Sequence, residues 1–535
     1  MDTKALRQKI LDLAIRGKLI PQDPNDEPAS VLLERIRAEK QQMVKDGRLK
    51  AKDVKNDTII FVGEDNLHYE KFADGTVKCI EDEIPFDVPD GWEWERLSNI
   101  AAFSGGKTPS TSHREFWDGN VLWVTSKDMK SKYISSSLLM LSEKGASQMQ
   151  LYPSDTILMV TRSGILRHTL PVAILKSDAT VNQDIKAICL YDCSMTEWVY
   201  SCLKGMEEQL LLRYTKSGTT VENINFDEFI GVLLPIPPSS EKSRIIDRVE
   251  KACKAVDVMD EEKTALGDAV VKAKALILDL AIRGRLVPQN PDDEPASVLL
   301  DRIRAEKEEL VKQGNIKRDK RESFIFRGED NSYYEKVRNE CICIDDDLPY
   351  DIPVNWAWCE LQDCCYKEIK RGRSPKYADT GKVLSFAQKC NQKSGSINIS
   401  LAQWIDDSSI DRYDEDEYML DGDIVINSTG TGTLGRVGIY HDSDNHARTP
   451  IVPDSHVTIV RTSSLINSSY IFLCLKAMQS NLEELGEGST NQKELKPLTI
   501  QQQRIPVPPL DEQHAIVKRV YAFFEELECV EANLR

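Results

Sequence analysis

The sequence predicts an α+β fold in which two globular α/β inserts are separated by a long antiparallel coiled coil, the whole forming a circularly permuted repeat with pseudo-twofold symmetry. Three observations carry this expectation. The stretch LDLAIRGKLIPQDPNDEPASVLLERIRAEK at Leu11–Lys40 returns at Leu278–Lys307 with 25 of 30 positions identical. A heptad seam runs from Ile245 to Leu280. Its first half reappears near Arg535 and its second half near Met1, so the two ends together spell the central helix again.

The first element, residues 1–91, opens with Thr3, Leu6, Ile10 and Leu13, which match Val270, Ala273, Ile277 and Leu280. A connector follows: helical ASVLLERIRAEK, then VGEDNLHYEKF, then the extended, proline-punctuated IPFDVPDGWEWERL. Residues 92–237 form a private insert, and LPIPPSSEKSRIIDRVEK from Leu234 closes it with prolines that stop a strand. Ser240 is placed to cap the central helix, 238–283, whose apolar residues alternate four and three apart through Ile245, Val249, Ala252, Val256, Met259, Leu266, Val270, Ala273, Ile277 and Leu280. Only Lys263 interrupts them. A helix of about 44 residues carrying such a seam spans roughly 65 Å at 1.5 Å per residue, more than a simple core helix needs.

Residues 284–355 repeat the connector, with RGEDNSYYEKV and LPYDIPVNWAWCEL in matching places. The second insert, 356–508, ends on IPVPPLDEQHAIVKRVYA, and the helix of 509–535 carries Ile516, Val520, Phe523, Leu527, Val530 and Leu534.

Composition narrows the function classes. The net charge of −18 over 535 residues argues against a coat for nucleic acid, whose affinity comes from neutralised phosphates. The inserts are nearly balanced: Lys and Arg against Asp and Glu count 14 to 16 for 92–236 and 16 to 20 for 356–507, so the acidity belongs to the frame. Thirteen cysteines without a CxxC pair are expected as free thiols, and the cluster Cys341, Cys343, Cys359, Cys364 and Cys365 lacks zinc spacing, so no metal is expected. With no signal-peptide pattern and no apolar run long enough to span a bilayer, the expectation is a cytoplasmic protein without a membrane partner.

Both inserts open on a glycine, a cation, a hydroxyl and a proline: Gly106, Lys107, Thr108, Pro109 and Gly372, Arg373, Ser374, Pro375. Such a turn exposes a charge and a donor suited to phosphates or guanine edges. Later come β-rich runs ending in small and basic residues, DTILMVTRSG from Asp155 and GDIVINSTGTGTLGRVGIY from Gly422, then polar loops at Thr215 and Gly486. This chemistry nominates Lys107, Thr108, Ser110, Arg114, Lys127, Arg162 and Thr219 as DNA contacts in the first insert. In the second it nominates Arg371, Arg373, Ser374, Lys376, Lys389, Thr431, Arg436 and Asn491.

Catalytic motifs are missing. GGKT lacks the first glycine of a phosphate loop, since Ala101 stands there, and Pro109 obstructs the helix that loop requires. No Pro-Pro-Tyr or Pro-Pro-Phe motif for a base-amino methyltransferase, no HExxH and no GxSxG occurs, so no catalytic residue is assigned.

Over nearly its whole length the chain resembles the specificity subunits of type I restriction-modification systems, on SGGKTPS…FWDGNVLWV, RGRSPKY, GDIVINSTGTGTLGRVGIY, the two proline stops and the circular frame. The resemblance implies that the inserts are two target recognition domains, each reading half of an interrupted double-stranded DNA sequence. It implies helices that set the gap and hold two modification subunits, through the seam residues Ile245, Val249, Val256, Met259, Leu266, Ile277, Leu280, Ile516, Val520, Phe523 and Leu527. Up to two restriction subunits would join. S-adenosylmethionine would belong to the modification subunits, ATP and Mg to the restriction subunits, and no cofactor to this chain. The alternative is an orphan DNA-binding or regulatory protein of the same fold. An enzyme active by itself is the least favoured reading.

Overall fold

The computed structural model describes residues 2–216, 221–318, 323–338, 340–430, 432–488 and 493–534. The chain divides into two units, Met1–Lys263 and Thr264–Arg535, built on one plan. Their boundary lies inside a single helix, Ser239–Ile282, at the polar interruption of its seam.

Unit 1 begins with the helix Thr3–Ile15, capped where the Asp2 carboxylate accepts a hydrogen bond from the Ala5 N–H at 3.0 Å. The helix ends at Gly17, whose φ of 64° lets Lys18 N–H reach back to the Leu13 carbonyl at 2.8 Å. A Cβ there would lie 2.4 Å from Pro89 Cγ, so the returning connector also requires the glycine. This helix runs antiparallel to residues 239–263: Arg7 pairs with Asp257 at 2.7 Å and Asp260 at 2.8 Å, and Gln22 beyond its end reaches Glu241 at 3.1 Å. Ile10 and Leu11 pack into the cluster that holds Ile245 and Val249.

The connector folds into an arm. Its helix Ala29–Lys45 buries Leu32, Leu33 and Ile36, and the fully buried Lys40 amine donates to Asp57 at 2.6 Å and to the Asn99 carbonyl at 2.8 Å. A three-stranded antiparallel sheet follows: Ile59–Val62, His68–Lys71 and Val77–Cys79. The buried Glu70 fixes it to the frame through Arg96 at 2.7 Å.

The insert leaves and re-enters the frame on two paired strands, Glu93–Arg96 and Leu233–Ile236, with Trp94 opposite Pro235. Between them stand a five-stranded sheet, ordered 101–105, 185–190, 157–160, 172–175 and 133–134, and a three-stranded sheet of 179–181, 117–124 and 139–141. Apolar residues fill the space between the sheets, among them Leu158, Val160, Ala173 and Leu175. The helix Thr196–Gly205 ties insert to frame: Trp198 Nε1 donates to the Pro235 carbonyl at 2.7 Å, and Trp198 meets Trp92 edge to face at 5.6 Å.

Unit 2 repeats each device. Gly284, at φ 66°, would collide with Pro353, and Lys274 pairs with Glu531 at 3.1 Å while Gln289 reaches Glu512 at 3.2 Å, so Leu510–Leu534 runs antiparallel to the long helix. Ala357–Glu360 pairs with Arg504–Val507, and Tyr470 donates to the Pro506 carbonyl at 2.7 Å, in the place of Trp198. The paired tryptophans of the frame each hold a helix start, Trp92 Nε1 donating to Glu241 and Trp356 Nε1 to Glu512, both at 2.9 Å. Both carboxylates sit in the first turn of a helix, where the N-terminal dipole favours negative charge.

The seam departs from the expected regularity. Ile245, Val249, Val256, Ile516 and Val520 are buried, and Ile245, Val249, Ile516 and Val520 belong to the cores of their own units, so their side chains face this chain rather than an outside partner. Ile277, Leu280, Phe523 and Leu527 are half-buried. Met259 and Leu266 are exposed, at 41% and 45%. In unit 1 the antiparallel helix Thr3–Ile15 reaches the level of Asp260, which the Thr3 side chain hydrogen-bonds. No helix of the described residues is long and apolar enough to cross a membrane.

Candidate nucleic-acid interface

In each insert the basic turn is strapped across a short polar turn by a glycine that only backbone could approach. A Cβ on Gly106 would stand 2.0 Å from the Val181 carbonyl oxygen and 2.3 Å from that of Asn182. On Gly372 it would stand 2.0 Å from the Pro453 carbonyl oxygen and 2.5 Å from that of Asp454. No side chain fits, which is why both inserts share this glycine.

In the first insert Lys107 N–H donates to the Val181 carbonyl at 3.1 Å, and its own carbonyl accepts from Trp123 Nε1 at 3.2 Å. Trp117 packs edge to face on Trp123 at 5.1 Å and donates to the Ser110 carbonyl at 3.3 Å. Two tryptophans thus hold the turn from beneath, leaving Lys107, Thr108 and Ser110 exposed. Thr108 donates to Gln183, and Asn182 N–H bonds the Val124 carbonyl at 3.0 Å, bringing the loop with Lys127 alongside. Thr161 N–H bonds the Asp184 carbonyl at 2.8 Å, bringing Arg162 to the same rim. Lys107, Arg114, Lys127 and Arg162 are all exposed and make no ion pair among the described residues. Arg114 lies on the single turn Arg114–Phe116 that follows.

The second insert has the same wiring. Asp454 N–H bonds the Phe386 carbonyl at 3.0 Å, Ser428 N–H bonds the His456 carbonyl at 2.8 Å, and the Ser374 and Ser455 hydroxyls meet at 3.1 Å. Lys389 takes the place of Lys127, exposed and without an ion pair among the described residues. The other cations are bound by the protein itself. The Arg373 guanidinium bonds the buried Glu417 carboxylate at 3.0 and 2.9 Å and the Arg412 carbonyl at 2.5 Å. Arg371 pairs with Glu494 and donates to the Leu495 carbonyl at 2.7 Å. Arg436 donates to the carbonyls of Asn391 at 2.9 Å and Gly432 at 3.3 Å, and so braces its loop from within instead of standing free on it as a DNA contact.

Lys376 pairs with Asp406 at 3.0 Å; a hydrogen bond from Ser408 first, then Lys376, brings that carboxyl down to about 2. Thr219, Thr431 and Asn491 lie outside the described residues.

Gln183 and Ser455 are not among the residues nominated from the sequence, yet each is the residue the turn hydroxyl touches. The signal is present as the polar steps Asn182-Gln183-Asp184 and Asp454-Ser455-His456, each directly after an apolar strand. The cysteines near the second insert serve packing: Cys359, Cys364 and Cys365 are buried, and the neighbouring Cys364 thiol together with burial pushes Cys359 up.

Residues 89–266 and 353–533 each match the type I restriction modification DNA specificity domain. The EcoEI specificity subunit of Escherichia coli is 23% identical, over 99% of this chain and 91% of that protein. The EcoAI specificity subunit, also from Escherichia coli, is 29% identical over 67% and 62%. In three dimensions, a chain solved in a study of complex assembly and conformational transition of the type I R-M system shares the fold, with a TM-score of 0.53 and 15% identity over 84% of this chain and 94% of that one.

Proposed function

Because the chain belongs to the type I restriction-modification DNA specificity family, carrying that domain twice, we propose that its two inserts read the two halves of one interrupted DNA target for two modification subunits. One observation supports this most: two turns that share their glycine approach and three backbone hydrogen bonds display different side chains. The wiring presents a polar turn, a cation loop and a strand end to a groove in the same way twice. The side chains then differ where bases would be met, Gln183 against Ser455 and Arg162 against Thr429. Two such surfaces read unrelated half-sites rather than a palindrome.

In this reading the chain supplies address and the partners supply chemistry. The modification subunits would bring S-adenosylmethionine and methylate adenine, and up to two restriction subunits would bring ATP and Mg. The absence of catalytic motifs from the sequence fits that division. Among the described residues Lys107, Arg114 and Lys127 of the first insert are exposed and make no ion pair, so its phosphate contacts fall to these three, and those of the second to Lys389 with the exposed Lys376.

Mapping methylated adenines in DNA exposed to the assembled complex tests this. The expected result is a bipartite sequence with a fixed gap, and a Gln183→Ala chain that relaxes one half while the other stays as it was. A palindromic or ungapped target, or a relaxation of both halves by that single change, overturns the reading.

A further inference from the structure

One surface in each unit is used neither by the inserts nor by the helical frame. The arm sheet of unit 1 buries Ile60 and Glu70 on one side and turns the other side outward. On that outer side the register sets Phe61, Tyr69 and Cys79 in one row across three strands. The arm sheet of unit 2 sets Phe326, Tyr334 and Cys343 in the same row. In both, the two rings stack at 5.9 Å and 25°, and the tyrosine hydroxyl donates to an aspartate, Asp65 at 2.7 Å and Asp330 at 2.8 Å. Phe61 and Phe326 are 39% and 37% exposed, and both thiols are exposed.

An antiparallel sheet with one solvated face ordinarily places polar residues there. Here the solvated row is aromatic, and the next row adds Ile59 and Val77 in unit 1, 46% and 52% exposed. Apolar surface gathered in this way marks an interaction site. The specificity-domain matches begin at residues 89 and 353, after each arm sheet, so this surface lies outside the DNA-reading module. It is also written twice: the inserts diverged, but the Phe-Tyr-Cys row, its aspartate brace and a lysine in the adjoining row, Lys71 and Lys336, are common to both arms.

A surface repeated within one chain fits one partner taken twice. A second copy of the chain fits less well, because each arm carries a lysine beside the row, Lys71 or Lys336, and two such faces pressed together would set like charges against one another. Resting on the functional reading above, we propose that the outer face of each arm sheet docks one modification subunit. The complementary patch on that subunit would be apolar, with a carboxylate set to meet Lys71 or Lys336.

The test uses the full chain assembled with the modification subunits of its own system, with copies counted by native mass spectrometry. The wild-type chain is expected to hold two. Phe61→Glu and Phe326→Glu should each weaken one site at least tenfold, and the double variant both. Independently of any variant, peptide-resolved alkylation of Cys79 and Cys343 in the wild-type chain should slow at least tenfold on assembly, which decides the matter if a variant fails to fold.

Two copies retained by a folded double variant, or thiols that react equally fast free and assembled, overturn the placement while the functional reading stands. A wild-type chain that recruits no modification subunit sinks both. Loss of a self-associated form, in place of lost modification subunits, assigns the face to a second copy and overturns the proposal.

Discussion

Single residues divide here into those that shape the reading turn and those that stand on it. Gly106 and Gly372 shape it: a methyl group at either would press on a carbonyl oxygen 2.0 Å away, and neither strand can retreat without breaking its sheet. Gly106→Ala is expected to cost about 3 kcal/mol, the upper range for an added methylene in a tight site, and to abolish reading by the first insert. A urea midpoint measured beside half-site methylation checks both parts. Lys107 and Arg373 hold equivalent sequence positions in different states. Lys107→Ala should leave stability unchanged and reduce the salt dependence of DNA binding by about one phosphate contact, read as the slope of affinity against salt. Arg373→Ala should instead lower stability by about 1 kcal/mol, because it leaves the buried Glu417 carboxylate with only Lys370 at 3.4 Å and the Asp414 N–H at 3.1 Å. A melting curve separates these outcomes. The sequence nominates both cations on equal chemistry; only the fold shows that an acidic run, Asp414 to Glu417, comes back to claim one of them.

At the scale of elements, the repeat is legible in the sequence because its parts answer local needs that recur: a left-handed glycine after each helix, a tryptophan for each first-turn carboxylate, a proline strand closing each insert. The sheet order within the inserts is not legible there, since strands such as 101–105 and 185–190 pair across about eighty residues of intervening chain. The helical seam is legible as a period but not as a contact map. The same apolar spacing serves a core at Ile245 and solvent at Leu266.

The first-turn carboxylates also yield a pH prediction. Burial raises the Glu512 carboxyl above its ordinary value of 4.5, against the hydrogen bonds from Trp356 and Gln289. A carboxyl raised in the folded state holds its proton more tightly there than in the unfolded chain. Its stabilising contribution is therefore present at low pH and is lost as pH climbs from 4.5 through the raised value. Unfolding curves across that range should show the loss in the wild-type chain and not in Glu512→Gln.

For the whole molecule, the long helix is the one element common to both units. Seven residues inserted after Lys263 keep the heptad phase and lengthen the helix by about 10 Å, the rise of about three base pairs. Methylation mapping should then find a longer gap between two unaltered half-sites, and an altered half-site would count against a spacer role for the helix. The arms show where the sequence falls short at this scale. Their repetition is plain, but the solvent-facing row of Phe61, Tyr69 and Cys79 emerges only once strand register is fixed, because sequence alternation alone does not say which side is covered.

The duplicated frame also bears on heredity. Two segments of the chain share 25 of thirty residues 267 positions apart, so a crossover between their coding sequences would keep the reading frame while removing the first connector, the first insert and the long helix together. Recombination with a related gene through the same segments would exchange that whole stretch, insert and long helix together, as one piece. The devices that join each unit, Gly17 against Pro89 and Trp92 against Glu241, would survive such an exchange, because each lies within a frame copy or at its edge. One such step would change one half of the DNA target and leave the second unit, Thr264–Arg535, almost entirely as it was.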